Sequence, residues 1–446
     1  MSGIDRRPTA ERALVVHPSR RDASNLRDPA QRLEEAIGLA QALDLEVVDA
    51  QVAPLRATTP ATLFGRGKVE ALRAEADAVS ADLVVVDDAL TPVQQRNLEK
   101  AWERKVVDRT GLILEIFARR ARTAEGKLQV HLARLEYERS RLVRTWTHLE
   151  RQRGGTGGTG GPGERQIELD RRQIADRIVQ LKRQLEEVRR TRELHRAQRK
   201  KTPFPVVALV GYTNAGKSTL FNRLTTGGVL AQDMLFATLD PTLREVRLPG
   251  GRPAILSDTV GFISDLPHEL VAAFRATLEE VEEADLVLHV RDIAGEDTDA
   301  QAADVREVLG RIGFESDDAR VLEVWNKADR LEPEARDAWA ARTHRAGESA
   351  RAVIVSALTG EGCDGLLTEI AARIDEAPPV PARLRADEGE ALAWLYRNGR
   401  VVEREDVADG AVRLSVRLDP QALGRFERRF PNAQLGERAA LAAAAE

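Results

Sequence analysis

The chain has 446 residues, more than one ordinary hydrophobic core accommodates, so two to four domains are expected. Hydrophobic residues make up 42% and charged residues 31%, which suits a globular protein and excludes a largely disordered chain. A single cysteine, Cys363, excludes an internal disulfide and fits a reducing compartment. The polar start lacks the apolar core of a signal peptide, and no run approaches the roughly 20 apolar residues of a membrane span. We therefore expect a cytoplasmic protein without a membrane span.

Residues 13–108 alternate between strand and helix patterns. Apolar β-branched runs predict strands at residues 13–16, 45–48, 83–86 and 105–108. Helical spacing predicts helices at residues 29–43, 67–78 and 92–102. Such alternation is typical of βαβ units and a parallel sheet, so residues 1–125 are expected to form an α/β domain.

Residues 126–200 change to heptad spacing on both sides of a short connection. The spaced apolar residues are Leu128, Leu132, Leu135, Leu142, Trp146 and Leu149, then Ile174, Ile178, Leu181, Leu185 and Val188. Two such helices predict an antiparallel helical hairpin that projects from the protein. The alternative is that both helices lie flat on the α/β domain.

Positive charge is concentrated on this hairpin. The whole chain has a formal net charge of −5, yet residues 134–201 hold 19 Lys and Arg against 10 Asp and Glu. This asymmetry predicts a segment that faces phosphates. The Gly- and Thr-rich connection, residues 154–163, would allow close approach to nucleic acid, although a plain linker is the alternative. The candidate RNA contacts are Arg151, Arg153, Gly157, Gly158 and Arg165.

Residues 201–377 are predicted to form a second α/β domain, and residues 378–446 a small α+β domain. The boundary between them is marked by prolines at positions 378, 379 and 381. Beyond it we predict a strand, a helix at residues 388–397, strands at 400–405 and 411–418, and a last helix.

A phosphate-binding loop follows the apolar strand at residues 205–210. The pattern G-x-x-x-x-G-K-[ST] lies between this strand and a helix, the setting that the motif requires. Its backbone N–H groups converge on phosphate oxygens, Lys217 reaches the β- and γ-phosphates, and Ser218 ligates magnesium. The predicted nucleotide contacts are Gly211, Tyr212, Thr213, Asn214, Ala215, Gly216, Lys217, Ser218 and Thr219.

A D-x-x-G motif and an upstream threonine complete the predicted phosphate and magnesium site. Asp258 would hold magnesium through water, and the Gly261 N–H would sense the γ-phosphate. Thr238 is the candidate switch residue that ligates magnesium beside GTP, with Phe236 next to it. An exposed loop threonine is the alternative. Lys217, Thr238 and Gly261 are the predicted catalytic residues.

The base is predicted from an N-K-x-D motif that follows the strand at residues 321–325. The Asp329 carboxylate can accept two N–H donors from guanine, whereas adenine offers no such pair on that edge. Asn326 and Lys327 belong to the same motif, and the S-A-L segment completes the set with Ser356, Ala357 and Leu358. Four ordered motifs after four strands predict a GTP-binding, GTP-hydrolysing enzyme.

Intrinsic hydrolysis is expected to be slow and stimulated by a partner. In Ras-like enzymes a glutamine after the D-x-x-G glycine orients the attacking water, and here that position is Phe262. Asn214 resembles the asparagine of potassium-activated GTPases, which suggests K⁺ beside GTP and Mg²⁺. The alternative is that Asn214 merely suits a turn.

Several stretches outside the generic motifs resemble the HflX-type translational GTPases over nearly the whole chain. They are residues 65–70, 94–99, 107–113, 117–121, 161–164 and 210–222. The resemblance implies an N-terminal α/β domain with a helical hairpin, a Ras-like GTPase domain and a small C-terminal domain. It also implies binding to the large ribosomal subunit and its rRNA, and GTP-dependent splitting of stalled ribosomes.

The chain departs from that family in its tip loop, which lacks the usual basic residue and carries Arg165 where threonine is usual. Relatives have been linked to ATP through the N-terminal domain, but residues 65–68 are predicted to be a turn that starts a helix. Two other functions stay open: an RNA-remodelling or scaffold protein in which GTP only tunes affinity, and a regulatory GTPase without RNA. We expect the free protein to be a monomer.

Overall fold

The structure is a computed structural model that forms two compact units. One contains Met1–Arg244 with Leu256–Glu361, and the other Glu245–Ile255 with Gly362–Glu446. The described residues are 10–20, 28–150, 162–199, 204–225, 235–236, 238–239, 241–249, 251–264, 275–315, 318–345, 352–374, 380–385, 387–407, 410–418, 420–431 and 433–435. Among them, no helix has the length and apolarity needed to cross a membrane.

The first unit begins with a four-stranded parallel sheet in the order β2-β1-β3-β4. Its strands are β1 Arg12–Arg20, β2 Glu46–Leu55, β3 Leu83–Val86 and β4 Lys105–Asp108. Its helices are α1 Pro29–Gln41, α2 Arg66–Ala78, α3 Pro92–Trp102 and α4 Arg109–Arg120. The predicted parallel sheet is confirmed, and Gly65 is the N-cap of α2.

Helix α4 has no counterpart in the prediction, and β1 and β2 are longer than predicted. The Asp108 side chain accepts a hydrogen bond from the Gly111 N–H at 2.9 Å, which caps α4 directly after β4. Ile113, Ile116 and Phe117 are buried on one face of α4, and Leu112 and Leu114 beside that face are buried too. The consecutive apolar residues 112–114 are also typical of a short buried strand, which hides the helical spacing in the sequence.

Two long helices follow, α5 Ala124–Glu150 and α6 Pro162–Arg199. Glu136 of α5 pairs with Lys182 of α6 at 2.8 Å, and Ile178 and Leu181 of the predicted heptad are buried. On α5, Tyr137 donates a hydrogen bond to Asp108 at 2.5 Å, so this part of the helix rests on the end of β4.

The nucleotide-site residues follow strands of a six-stranded sheet in the order β10-β9-β8-β5-β7-β6. The strands are β5 Val206–Gly211, β6 Thr242–Arg247, β7 Pro253–Asp258, β8 Leu286–Asp292, β9 Val321–Asn326 and β10 Ala352–Ile354. β5, β8, β9 and β10 are parallel to one another. The helices are α7 Lys217–Leu224, α8 Arg275–Glu282, α9 Thr298–Arg311 and α10 Pro333–Arg345, with a 3₁₀ turn at Ala328–Arg330.

The second unit contains an antiparallel sheet in the order β12-β13-β11-β14. Its elements are α11 Cys363–Ile374, β11 Val380–Leu384, α12 Gly389–Asn398, β12 Arg400–Asp406, β13 Val412–Arg417, α13 Pro420–Arg429 and β14 Gln434–Leu435. Leu395 and Phe426 are buried in its core, and Trp394 packs against Phe426 with ring centroids 5.4 Å apart. The predicted mixed α/β fold with a small α+β appendage is confirmed; the two-residue β14 was not predicted.

Candidate nucleotide site

The phosphate loop connects β5 to α7 and depends on two glycines with positive φ. Gly211 has φ 154° and Gly216 has φ 90°. A Cβ on Gly211 would come within 2.2 Å of the Val290 carbonyl oxygen, and one on Gly216 within 2.2 Å of Asn326 Nδ2. Any side chain at either position would therefore push the loop off β8 or off the guanine motif.

Lys217 lies buried under this loop with its ammonium facing main-chain oxygens. Its Nζ donates to the carbonyls of Gly211 at 3.1 Å and Tyr212 at 2.8 Å. Burial lowers the pKa of Lys217 to about 8, and the charge of Asp258 offsets only part of that shift. A bound phosphate would restore the stability of the charged form, so the lysine is poised for an anionic ligand.

Ser218, Thr238 and Asp258 meet at one corner of the site. Ser218 Oγ and Thr238 Oγ1 each donate to Asp258 Oδ2 at 2.8 Å, and the two hydroxyls are 2.9 Å apart. Burial raises the pKa of Asp258 despite the hydrogen bond from Ser218 and the charge of Lys217. The other oxygen, Asp258 Oδ1, is buried with no hydrogen-bond partner among the described residues. This arrangement leaves an uncompensated carboxylate oxygen at the place where the motifs predict a cation.

Asn326 at the end of β9 ties the phosphate loop to the S-A-L segment. Its Nδ2 donates to the Ala215 carbonyl at 2.9 Å, and its Oδ1 accepts from the Ala357 N–H at 2.9 Å. Ser356 Oγ donates to Asp329 Oδ1 at 2.5 Å, which orients the predicted guanine-reading carboxylate. The three segments 211–219, 326–329 and 356–358 are therefore brought together around one site.

Two further residues of this group have unusual positions. Lys327 has φ 66°, and its Nζ pairs with Asp292 Oδ2 at 2.7 Å. Leu358 is 69% exposed, an unusual position for a large apolar side chain. An aliphatic lysine stem and an exposed leucine provide apolar surface against which a planar base can lie.

Comparisons with known proteins agree with this geometry. Residues 30–118 match the family described as GTP-binding GTPase N-terminal, 120–199 GTP-binding GTPase Middle Region, 206–327 50S ribosome-binding GTPase and 341–440 HflX C-terminal domain. The GTPase HflX of Magnetococcus marinus is 53% identical over 405 residues, 90% of this chain and 91% of that protein. The chain belongs to the HflX family of GTPases. It binds and hydrolyses GTP.

More distant relatives and solved structures are also similar. The GTPase HflX of Escherichia coli strain K12 is 43% identical over 417 residues, 93% of this chain and 95% of that protein. A GTP-binding protein from Sulfolobus solfataricus, solved in complex with GDP, is 22% identical with a TM-score of 0.44 and covers 82% of this chain and 98% of its own.

The segment after the D-x-x-G motif of this HflX-family GTPase lies against the phosphate loop. The Phe262 N–H donates to the Gly211 carbonyl at 3.0 Å, and the Thr213 N–H donates to the Phe262 carbonyl at 2.7 Å. The Phe262 ring itself is buried in the core. A Cβ on Gly261 would lie 2.9 Å from Lys217 Nζ and 3.0 Å from Thr213 Cα, so a side chain here would press on the phosphate loop. Both main-chain polar groups of Phe262 are thus bonded to the phosphate loop, and its side chain lies in the core.

The remaining predicted site residues occupy varied positions. Phe236 has φ 57°, and its buried ring packs edge-on against Phe117 of α4 with centroids 4.7 Å apart. Asn214 is exposed with φ 59°. Arg151, Arg153, Gly157 and Gly158 lie outside the described residues, and only the backbone of Arg165, within α6, is described.

Three residues at the phosphate loop and the segment after the D-x-x-G motif were not predicted. They are Glu35 on α1, Arg109 at the start of α4, and Ser264. Arg109 lies in the stretch 107–113 that resembles HflX GTPases, and that resemblance was the one available signal. Nothing in the local sequence of Glu35 or Ser264 distinguishes them from surface residues, because their contacts are with segments far away in the chain.

Proposed function

We propose that this HflX-family GTPase binds the large ribosomal subunit and uses GTP hydrolysis to separate stalled ribosomes. The observation that carries the proposal is the match of residues 206–327 to the family described as 50S ribosome-binding GTPase. The proposal extends to the rRNA contact, for which the basic segment 126–200 is the candidate module, and to a monomeric, cytoplasmic protein.

The charge and exposure of the hairpin support an rRNA contact. On α6, Arg171, Arg172 and Arg177 are exposed, and the segment 134–201 has an excess of positive charge within a chain of net charge −5. Cationic side chains on an exposed helix displace counterions from nucleic-acid phosphates, which gives affinity that falls steeply with salt.

Mg²⁺ fits the oxygen donors of Ser218, Thr238 and Asp258. Among the described residues, no group of three or more His, Cys, Asp and Glu could hold a metal ion, so hydroxyls and phosphate oxygens would supply the other ligands. That donor set is the one Mg²⁺ takes in nucleotide sites. The unpartnered Asp258 Oδ1 supports this assignment. Held by these residues, Mg²⁺ would reduce the negative charge of the phosphates.

The side chains define the rest of the mechanism. Lys217 would neutralise charge on the β- and γ-phosphate oxygens, and the Gly261 N–H would donate to the γ-phosphate. Asp329 would accept the two guanine N–H groups. Because the Phe262 ring is buried, a main-chain group, another side chain or the ribosome would orient the water, which supports slow basal hydrolysis with stimulation by a partner.

The central experiment is co-sedimentation with large subunits in GDP, GTP and a non-hydrolysable GTP analogue, together with turnover at each salt concentration. We expect binding that is strongest with the analogue, weakens steeply with salt, and is accompanied by faster turnover. A scaffold protein in which GTP only tunes affinity would bind without stimulation, and a GTPase without an RNA partner would show no salt-dependent binding.

The hairpin tip is tested by deleting residues 154–163, with replacement of the same ten residues by Gly and Ser as the matched control. We expect the deletion to lower subunit binding or ribosome splitting while basal hydrolysis stays unchanged. Undiminished splitting after the deletion would reduce the loop to a linker.

Potassium activation is tested by turnover in potassium and in sodium. The φ of Asn214 is one that asparagine tolerates well, so a turn also accounts for the residue. Faster turnover in potassium that is lost in Asn214→Ser would support a monovalent cation, and equal rates in both salts would remove K⁺ from the mechanism.

A further inference from the structure

Ser264 connects the D-x-x-G segment to the phosphate loop and to the N-terminal α/β domain, and each of its polar groups takes part. Its N–H donates to Tyr212 Oη at 2.9 Å, and its carbonyl accepts from Arg109 Nη2 at 3.1 Å. Its hydroxyl accepts from Arg32 at 2.7 Å and Arg109 at 3.0 Å, and donates to Glu35 at 3.1 Å. Ser264 is only 4% exposed, so water does not compete for these bonds.

Glu35 links this residue to the phosphate loop. One carboxylate oxygen accepts from Ser264 Oγ and from Arg109, and the other accepts from Tyr212 Oη. Tyr212 belongs to the phosphate loop, and its main chain lies beside that of Phe262. One carboxylate of α1 therefore touches both the phosphate loop and the segment that carries Gly261.

Arg109 is held in place from behind by the end of the N-terminal sheet. Its Nη1 donates to Asp87, and Asp87 in turn pairs with His17 Nδ1 at 2.8 Å. Burial alone would lower the pKa of Arg109, but the charges of Asp87 and Glu35 outweigh it and hold that pKa well above its ordinary value. The guanidinium is a permanently charged, rigid anchor.

We propose that Glu35 and Arg109 are positioning residues for GTP hydrolysis. Glu35 and Arg109 do not touch the reacting atoms. They act through Ser264 and Tyr212, and so hold the main chain at Gly261 and Phe262 against the phosphate loop. This restraint matters because the ring of Phe262 cannot orient water, so that basal hydrolysis depends on other groups beside the phosphates, among them the Gly261 N–H. A shift of about 1 Å in such groups can reduce a rate about 100-fold.

Simple docking of the domain does not require this polar network. Apolar contacts already join α1 and α4 to residues 235 and 236: Phe236 packs on Phe117, and a Cβ on Gly38 of α1 would come within 3.1 Å of Leu235. At this serine Arg109 is buried and Glu35 and Arg32 are partly buried, so these charges are costly to desolvate, and apolar residues of similar volume would dock as well. A positioning role explains why these polar side chains converge on one main-chain segment.

The test is a double-mutant cycle on basal GTP hydrolysis without ribosomes, so that it is independent of the proposed ribosomal function. Glu35→Gln, Ser264→Ala and the double variant are compared by kcat, KM, GDP release and Tm. Arg104→Met is the matched control, because Arg104 pairs with Asp77 at 2.7 Å and donates to the Ala81 and Trp102 carbonyls within the same domain.

We expect each single variant to lower kcat about 10-fold with little change in KM, and the double variant to lose no more than the larger single effect. Arg104→Met should lower Tm while kcat stays within about twofold. If Glu35→Gln does not fold, Tyr212→Phe removes one hydroxyl of the same network and takes its place. Unchanged or raised kcat in the variants, independent effects in the double variant, or an equal loss in the control would overturn the proposal.

Discussion

Asp87 follows β3 of the four-stranded sheet and Asp258 ends β7 of the six-stranded sheet, and both carboxylates are buried. Asp87 is paired on both oxygens, with His17 on one and Arg109 on the other. Asp258 Oδ2 accepts hydrogen bonds from two hydroxyls, whereas none of the described residues donates to Oδ1. The protein itself supplies partners for both oxygens of Asp87, whereas one oxygen of Asp258 remains available to a ligand beside the phosphate loop.

The two pKa values shift in opposite directions for this reason. Burial raises the pKa of both groups, but at Asp87 the charge of Arg109 and the hydrogen bond from His17 reverse the shift, and the pKa lies well below its ordinary value. At Asp258 the opposing contributions are weaker and the pKa stays raised. A buried carboxylate with a raised pKa next to a glycine-rich loop indicates a ligand site, and one with a lowered pKa indicates a structural ion pair.

The largest expected effect is on base recognition at the nucleotide site. Asp329→Asn removes the acceptor for two guanine N–H groups, so GTP affinity should fall by about 10³-fold or more and xanthine nucleotides should be preferred. Titration with fluorescent guanine and xanthine nucleotides measures this, with the exposed Asp337→Asn as control. Unchanged guanine preference would show that Asp329 does not read the base.

Asp258→Asn should separate function from stability. Hydrolysis should fall by about 100-fold because the cation loses its carboxylate, while the nucleotide-free protein should gain about 1 kcal/mol because an incompletely paired buried charge is removed. The pKa of Asp258 is raised in the folded protein. Its contribution to the stability of the wild type is therefore present at low pH and is lost as the pH rises through that pKa. In urea unfolding without nucleotide, the free energy of unfolding of Asp258→Asn should therefore exceed that of the wild type at pH 7, and by less at pH 4.

Asp87→Asn should have the opposite effect on stability. Breaking this buried ion pair removes one of the two carboxylates that compensate Arg109 and should cost about 3 kcal/mol at pH 7. Because the pKa of Asp87 is lowered in the folded protein, its stabilisation is present above the unfolded value of about 3.9 and is lost as pH falls towards the folded value. The difference between variant and wild type in urea unfolding should shrink from pH 7 to pH 3. A constant difference across that range would contradict the ion pair as its cause.

The smallest effect concerns Lys217. Its pKa of about 8 in the free protein should rise when phosphate binds, so binding takes up a proton above pH 8. GTP affinity should be constant below pH 8 and fall up to about tenfold per pH unit above it. Calorimetry in buffers of different ionisation enthalpy would detect the proton uptake. Flat affinity up to pH 9.5 would show that the lysine is already fully charged without nucleotide.

Much of the fold and of the candidate site could be predicted from sequence. The strands 83–86 and 105–108 and the helix 92–102 have the predicted bounds, because their apolar spacing is local and strong. The nucleotide motifs come together as expected since a phosphate loop is made by consecutive main-chain groups after one strand. The roles of the individual site residues stay predictions. Helix α4 escaped prediction although Ile113, Ile116 and Phe117 have helical spacing, because the apolar run 112–114 is also typical of a short strand.

The sequence alone therefore determined the nucleotide chemistry, because guanine and phosphate recognition are encoded by residues a few positions apart after successive strands. Only the tertiary structure showed that Glu35, Arg109 and Ser264, separated by up to 229 positions, share one buried network. Contacts of that kind leave no periodic or spacing signal, since each partner is an ordinary polar residue in its own segment. Their meaning depends on burial and distance, and both are decided by how the sheets and helices pack.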